Sequence, residues 1–187
     1  MFGRWLSLLA LGCGATLGFV VSYAVPTRYN RGPEARWWER LRRISSRLFG
    51  LIDEDGGPRP ITDGEYAGRL DCDLGTAESL LYEEGYIRNP MSRLKIRDSK
   101  PEDGSWVYRE SPLATRQLHL MLFENDDGTT DVYAHEELSS VHPLCGPAHF
   151  RGDGQSVRAG VKRAREWFSL DASGVTTTPP EGSWDEN

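Results

Sequence analysis

The chain has 187 residues, with 28 acidic and 22 basic side chains, and a net charge of −6. The charge is unevenly distributed: residues 1–52 hold eight arginines and two acids, a net charge of +6, whereas residues 53–187 carry 26 acids and 14 bases, a net charge of −12. The acidic distal region excludes nucleic acid as its partner. Three cysteines in a chain of this length exclude a disulfide framework.

Only three of the 22 basic residues are lysine. The shortage of lysine and the abundance of acids give a halophile-like composition, in which acidic surfaces hold hydration. A high genomic G+C content would produce the same preference for arginine.

The most apolar stretch, Trp5–Val25, contains 21 residues and no ionisable side chain apart from Cys13 and Tyr23. As a helix it would span roughly 31 Å, close to the hydrocarbon thickness of a bilayer. Aromatic residues near both ends suit the headgroup level, and Pro26 ends the helix. The pattern predicts a single-pass transmembrane anchor over residues 1–26.

Two processing events are alternatives to an anchor. Ser22-Tyr23-Ala24 could precede a signal-peptide cleavage site at Val25, and Cys13 could carry a lipid. However, the apolar run is longer than a usual signal core of about 7–15 residues, and the residues after Cys13 remain apolar. An uncleaved anchor is therefore the preferred interpretation.

The flanking charges predict the orientation of this anchor. Arg4 lies before it and seven arginines follow it within residues 28–47. The positive-inside rule then places the C-terminal domain in the cytoplasm.

Small residues recur every four positions along one side of the predicted anchor. They include a GxxxG pattern and can let two helices approach closely. They predict a homodimer or a partner helix, although small residues are also common in membrane helices that do not associate. The proposed association residues are Ala10, Gly14, Gly18 and Ser22.

Residues 27–52 predict a basic amphipathic juxtamembrane helix. Its apolar residues recur at spacings of three and four, and its arginines fall on the other side. Such a helix suits the surface of an anionic bilayer, although it could instead form a short coiled coil or dock on the distal domain. The residues predicted to lie at the membrane interface are Trp37, Trp38, Arg40, Arg43 and Arg47.

The distal part begins after a linker at residues 53–61, which is rich in acids, glycine and proline. Residues 62–168 are long enough for one core, and residues 169–187 predict a disordered tail. The element order predicts an α+β domain, a small two-layer sandwich in which two helices cover an antiparallel sheet. Its clearest elements are a strand over 65–70, a helix over 74–84, a hairpin over 116–135 and a helix over 155–168.

A loop region concentrates metal-ligating residue types within 15 positions. Imidazole and thiolate are the ligands that tetrahedral zinc prefers. The pattern H-x6-H-x2-C-x3-H matches no standard zinc finger, so a zinc-stabilised interaction module is one alternative and turn-forming surface residues are another. The residues concerned are His135, His142, Cys145 and His149.

Cys72, His119 and His135 form a second constellation. A cysteine before a helix, followed by a histidine and a polar residue on successive strands, superficially resembles the order in papain-like cell-wall endopeptidases of bacteria. The resemblance implies a membrane-tethered cysteine hydrolase using Cys72 and His119. Asp73 and Leu74 depart from the Ser-Gly of that family, and Cys72 also fits a core position.

The sequence contains no P-loop, dinucleotide-binding fingerprint, HExxH or GxSxG motif. We therefore assign no catalytic, cofactor-binding or metal-binding residue from the sequence. The preferred interpretation is a membrane-anchored α+β interaction domain, with the lipid bilayer, a second copy of the chain and an unknown protein as its partners.

Overall fold

The computed structural model describes residues 44, 58–89 and 92–170. The predicted anchor and its association residues lie outside the described residues, as do the predicted membrane-interface residues and the tail from residue 171. So does the juxtamembrane helix, except for Ile44, which is helical and exposed. Among the residues described, none belongs to a helix long and apolar enough to cross a bilayer.

The described chain alternates short strands with three α-helices and one 3-10 helix at Asp63–Glu65. The strands are β1 Arg59–Pro60, β2 Tyr66–Leu70, β3 Ile87–Arg88, β4 Lys95–Arg97, β5 Lys100–Pro101, β6 Gly104–Tyr108, β7 Arg116–Glu124 and β8 Thr130–Leu138. The α-helices are α1 Leu74–Glu83, α2 Gly146–Arg151 and α3 Val157–Phe168.

The main sheet has five strands in the order β2-β8-β7-β6-β3, and every neighbouring pair is antiparallel. At its centre, β7 and β8 form the predicted hairpin. Its turn is closed by hydrogen bonds between Asn125 and both Gly128 and Thr129, and Gly128 supplies the positive φ of 81° that glycine adopts without strain. The register places His119 directly opposite His135.

Helices α1 and α3 share one face of this sheet. Leu118, Leu120 and Leu122 of β7 point to the helices and pack in one cluster with Leu81 of α1 and Phe168 of α3. The side chains of Asp73 and Ser156 cap the two helices by accepting backbone N–H groups at distances of 2.7 and 3.4 Å. The predicted α+β class with antiparallel pairing is confirmed.

A second sheet of three strands, in the order β1-β4-β5, was not predicted. It forms from the end of the predicted linker, because Arg59–Pro60 pairs in parallel with β4. The amides of Arg59 and Ile61 donate to the carbonyl oxygens of Leu94 and Ile96, respectively, each at 2.9 Å. Pro60 lies between them at the sheet edge, where a missing N–H is tolerated.

The small sheet contacts the face of the main sheet opposite the helices. Ile61 packs against a cluster of Met121, Phe123 and Tyr133, and the Arg97 guanidinium lies 4.7 Å from the Phe123 ring. The main sheet is thus covered by helices on one face and partly by the small sheet on the other.

Candidate metal centre

Polar side chains are buried on the sheet face that carries the small sheet. Successive residues of a strand point to opposite faces, so Leu118 and Leu120 enter the helical core whereas Gln117 and His119 enter this polar layer. His135 in β8 joins them and is 1% exposed. Buried polar groups need hydrogen-bond partners, and these residues find them in one connected network.

Three side chains of this network place possible ligand atoms close together. His119 Nδ1 lies 3.2 Å from His135 Nε2 and 3.4 Å from Glu137 Oε1, and His135 Nε2 lies 3.2 Å from Glu137 Oε2. Around a tetrahedral zinc ion with bonds of about 2.0–2.1 Å, neighbouring ligand atoms lie about 3.3 Å apart. The three residues therefore have the separations of metal ligands, in a group that could hold an ion.

A chain of hydroxyl groups indicates which nitrogen of His119 carries a proton. The Ser92 hydroxyl donates to the carbonyl oxygen of Asn89, so it accepts from the Ser105 hydroxyl 2.9 Å away. Ser105 has then used its only proton and accepts from His119 Nε2–H at 2.7 Å. The Nδ1 atom of neutral His119 consequently presents a lone pair to the centre of the group.

Glu65 orients His135 in a comparable way. Its Oε1 atom accepts a hydrogen bond from His135 Nδ1–H at 2.8 Å, which directs the Nε2 atom of His135 towards His119 and Glu137. Lys95 Nζ lies 3.1 Å from the same carboxylate oxygen. A carboxylate behind a histidine is the usual outer support of a metal ligand.

Glu137 is oriented by an amide. Gln117 Nε2 donates to Glu137 Oε1 at 2.6 Å. The Gln117 carbonyl oxygen accepts from Arg109 Nε at 2.8 Å and from the Ser140 amide at 3.3 Å. Each of the three ligand residues therefore has its own supporting contact.

The electrostatics of the group favour a cation at its centre. Burial lowers the pKa of His119 to about 3, so this ring is neutral at pH 7. Burial raises the pKa of Glu137, but the neighbouring His149 and a hydrogen bond from His135 outweigh it and hold this pKa well below its ordinary value. A lone pair and a carboxylate thus converge on His135 Nε2.

Two cations satisfy this arrangement. One is a metal ion bound to all three residues. The other is a second proton on His135. Burial lowers the pKa of His135, but hydrogen bonds to Glu137 and Glu65 outweigh burial, so this pKa is raised. Burial raises the pKa of Glu65, but its hydrogen bond with His135 and the charge of Lys95 outweigh burial and lower this pKa to about 2. The Glu65 carboxylate therefore stays ionised whether the cation is a metal ion or a proton.

A cavity of about 50 Å³ opens beside the three residues. All three line it, together with His149 and the cationic side chains of Arg59, Arg93 and Lys95. An ion held by the three ligands would therefore have coordination positions that face a space large enough for water or a small ligand.

The structure does not gather the histidine and cysteine set predicted as a zinc site. His135 points into the polar layer, and His149 Nδ1 lies 3.3 Å from Glu137 and donates to the Leu138 carbonyl at 2.8 Å. His142 Nδ1 instead accepts from the Leu144 amide at 3.3 Å. The described group that could hold an ion contains neither His142 nor Cys145.

The structure also separates Cys72 from His119. Cys72 packs against the core on the helical side of the sheet, whereas His119 lies on the opposite side and bonds Ser105. Burial and the nearby Asp73 and Asp71 raise the pKa of the Cys72 thiol, which disfavours the thiolate that a nucleophile requires. The thiol-hydrolase hypothesis receives no support from this geometry.

Sequence reasoning singled out neither Glu137 nor the supporting role of Glu65. The signal for Glu137 was present, because His135 and Glu137 are two residues apart and share a strand face. Glu65 has no such signal, because 70 residues separate it from His135.

Comparison of the chain with protein-family models, with curated proteins and with solved structures gave no match. The geometry of the site is therefore what indicates the function.

Proposed function

We propose that this protein binds a divalent transition-metal ion through His119, His135 and Glu137 and leaves part of its coordination sphere open to the adjacent cavity. The single observation that carries the proposal is the convergence of two imidazole nitrogens and one carboxylate. His119 Nδ1 and His135 Nε2 lie 3.2 Å apart, and the two oxygens of Glu137 lie 3.4 and 3.2 Å from them, respectively. The outer contacts from Ser105, Glu65 and Gln117 support it, because each holds a ligand atom in its metal-binding orientation.

The ligand set favours particular ions. Two imidazoles and one carboxylate suit Zn²⁺ or Fe²⁺, whereas Ca²⁺ and Mg²⁺ prefer sets made only of oxygen. Structural zinc sites usually have four protein ligands, and three protein ligands with an open position are typical of catalytic centres. The proposed class is therefore a metal centre that binds or converts a small ligand.

The test is metal binding by the full-length chain in a maltoside detergent. We expect Co²⁺ to bind with a 1:1 stoichiometry and to give visible d–d bands, and Zn²⁺ to displace it. His119→Ala, His135→Ala and Glu137→Gln should each abolish the bands, because two protein ligands would remain.

Matched controls use the residues that the sequence had suggested. His142→Ala and Cys145→Ser should leave the cobalt bands unchanged, because both lie outside the group. Folding of every variant is checked by circular dichroism. A folded wild-type chain that binds no Co²⁺ or Zn²⁺ would refute the metal centre and leave protonated His135 as the buried cation.

Presentation of this domain at a membrane is a second proposal, supported by the apolar stretch of residues 5–25 and the arginine-rich segment after it. This proposal includes the transmembrane anchor, the juxtamembrane helix, a cytoplasmic position of the domain and dimerisation through the small residues of the anchor. Protease treatment of intact cells and inverted vesicles, with mass analysis of the N-terminus, tests it. Digestion only in inverted vesicles, with an intact N-terminus, is the expected result.

A further inference from the structure

We infer that the cavity beside the metal centre binds a phosphate group, one oxygen of which coordinates the ion while Arg59 and Arg93 hold the others. The inference rests on the proposed metal centre, which it deepens by naming the class of ligand.

The cavity is lined by cationic side chains, although the surrounding region is acidic. Residues 53–187 have a net charge of −12, yet this cavity is lined by Arg59, Arg93 and Lys95. Among the described residues, Glu137 is the only acidic one in its lining. Clefts lined by one sign of charge attract ligands of the opposite sign. A cationic cavity in an acidic domain therefore indicates an anionic ligand.

One of the three cationic residues has an acidic partner outside the lining. Lys95 is paired with Glu65 at 3.1 Å, so it contributes little net charge. The other cationic side chains that line the cavity are those of Arg59 and Arg93. A phosphate dianion would offset the positive charge of these side chains and of the ion.

The geometry places the cations at one side of the ligand group. Arg59 of β1 and Lys95 of β4 are directly paired in the small sheet, and Arg93 lies two residues before Lys95. The small sheet thus holds the cationic side of the cavity, and the main sheet holds the metal ligands. A bound oxyanion would bridge the two sheets.

The ligand chemistry follows from these groups. Guanidinium groups donate paired hydrogen bonds that match phosphate oxygens, and a divalent ion coordinates a further oxygen. A cavity of about 50 Å³ has space for such a group and not for a large organic molecule. The remainder of a phosphate ester would therefore extend out of the cavity, whether the ester is soluble or is a lipid headgroup.

The experiment titrates inorganic phosphate into the Co²⁺-loaded full-length chain and follows the cobalt d–d bands. We expect a saturable spectral change, because a phosphate oxygen would replace water on the ion. Arg93→Gln and Arg59→Gln should each weaken phosphate binding about tenfold, within the range expected for one charged hydrogen bond, while cobalt affinity stays nearly constant. Arg158→Gln, an exposed arginine of α3 that does not line this cavity, is the matched control.

The outcomes separate the two proposals. Cobalt bands that do not respond to phosphate would overturn this inference and leave the metal centre intact, and so would equal phosphate affinity in all three arginine variants. A chain that binds no cobalt refutes the metal centre, and this inference fails with it.

A second arm distinguishes the sources of the phosphate group. The loaded chain is mixed with glycerol phosphate, or reconstituted in phosphatidylcholine vesicles with and without phosphatidic acid. A spectral change with glycerol phosphate indicates a soluble ester. A change only with phosphatidic acid indicates a lipid headgroup, and no change in either mixture counts against a phosphate ester.

Discussion

Glu65 and His135 are 70 residues apart in the chain and are joined by a hydrogen bond of 2.8 Å between the carboxylate and Nδ1. Glu65 ends the 3-10 helix that precedes β2, and its second oxygen accepts from the Thr62 backbone amide at 2.8 Å. This contact holds the imidazole of His135 with its Nε2 atom towards His119 and Glu137.

Glu65→Gln should weaken metal binding. Removing an outer partner of a ligating histidine typically costs 10–100-fold in metal affinity, and an amide is a weaker acceptor than the carboxylate. Competitive titration of the cobalt-loaded chain with a chelator measures the effect. Unchanged affinity in the folded variant would show that Glu65 stabilises the fold only.

Gly160 brings α3 against the backbone of β8 directly behind His135. A Cβ atom at this position would lie 2.2 Å from the Cα and carbonyl carbon of His135. Gly160→Ala must therefore displace the helix, and we expect a loss of about 1–3 kcal/mol in the free energy of unfolding, as for overpacked cores.

Gly64→Ala is the control for this substitution. The nearest atoms to its added methyl group would be the Val157 and Thr62 side chains at 3.8 and 3.9 Å, an ordinary contact distance. Its unfolding midpoint in urea should stay close to that of the wild type. If Gly160→Ala is equally stable, the close approach of α3 and β8 is wrong.

Protonation of Asp131 should make the domain less stable in acid. Burial raises its pKa, but hydrogen bonds from Arg69 and Arg97 outweigh burial and hold the pKa below its ordinary value of 3.8. Because the folded-state pKa is lowered, Asp131 stabilises the domain above pH 3.8, and this contribution is lost as the pH falls through the folded-state value.

The measurement compares urea unfolding of the wild type and Asp131→Asn between pH 7 and pH 3. Asp131→Asn should be less stable at pH 7 and should approach the wild type as the pH falls. A difference in stability that does not depend on pH would contradict the role of the Asp131 charge.

Cys72→Ala should leave the cobalt bands unchanged, since Cys72 packs in the core on the other side of the sheet from His119. We expect a modest loss of stability, about 1 kcal/mol, from the smaller side chain in a partly buried site. Thiol-dependent hydrolysis by the wild type that Cys72→Ala abolishes would instead restore the hydrolase hypothesis.

Local signals in the sequence were sufficient for several elements. The turn residues between Asn125 and Gly128 and the alternating residues beside them predict the β7–β8 hairpin. Polar caps and helical periodicity likewise identify α1 and α3, because a helix is specified by residues three and four positions apart. The α+β class follows from the order of these elements.

Tertiary structure alone decided the composition of the candidate site. The sequence was compatible with a core position for Cys72. It did not show that this position lies on the other side of the sheet from His119, since that depends on how β2 and α1 pack against the hairpin. The contacts of Glu65 and Ser105 with the two histidines join residues far apart in the chain, and no local pattern encodes them. His119, His135 and Glu137 are buried together on one face of the main sheet. Which polar residues are buried in one site depends on strand pairing and on the packing of both sheets.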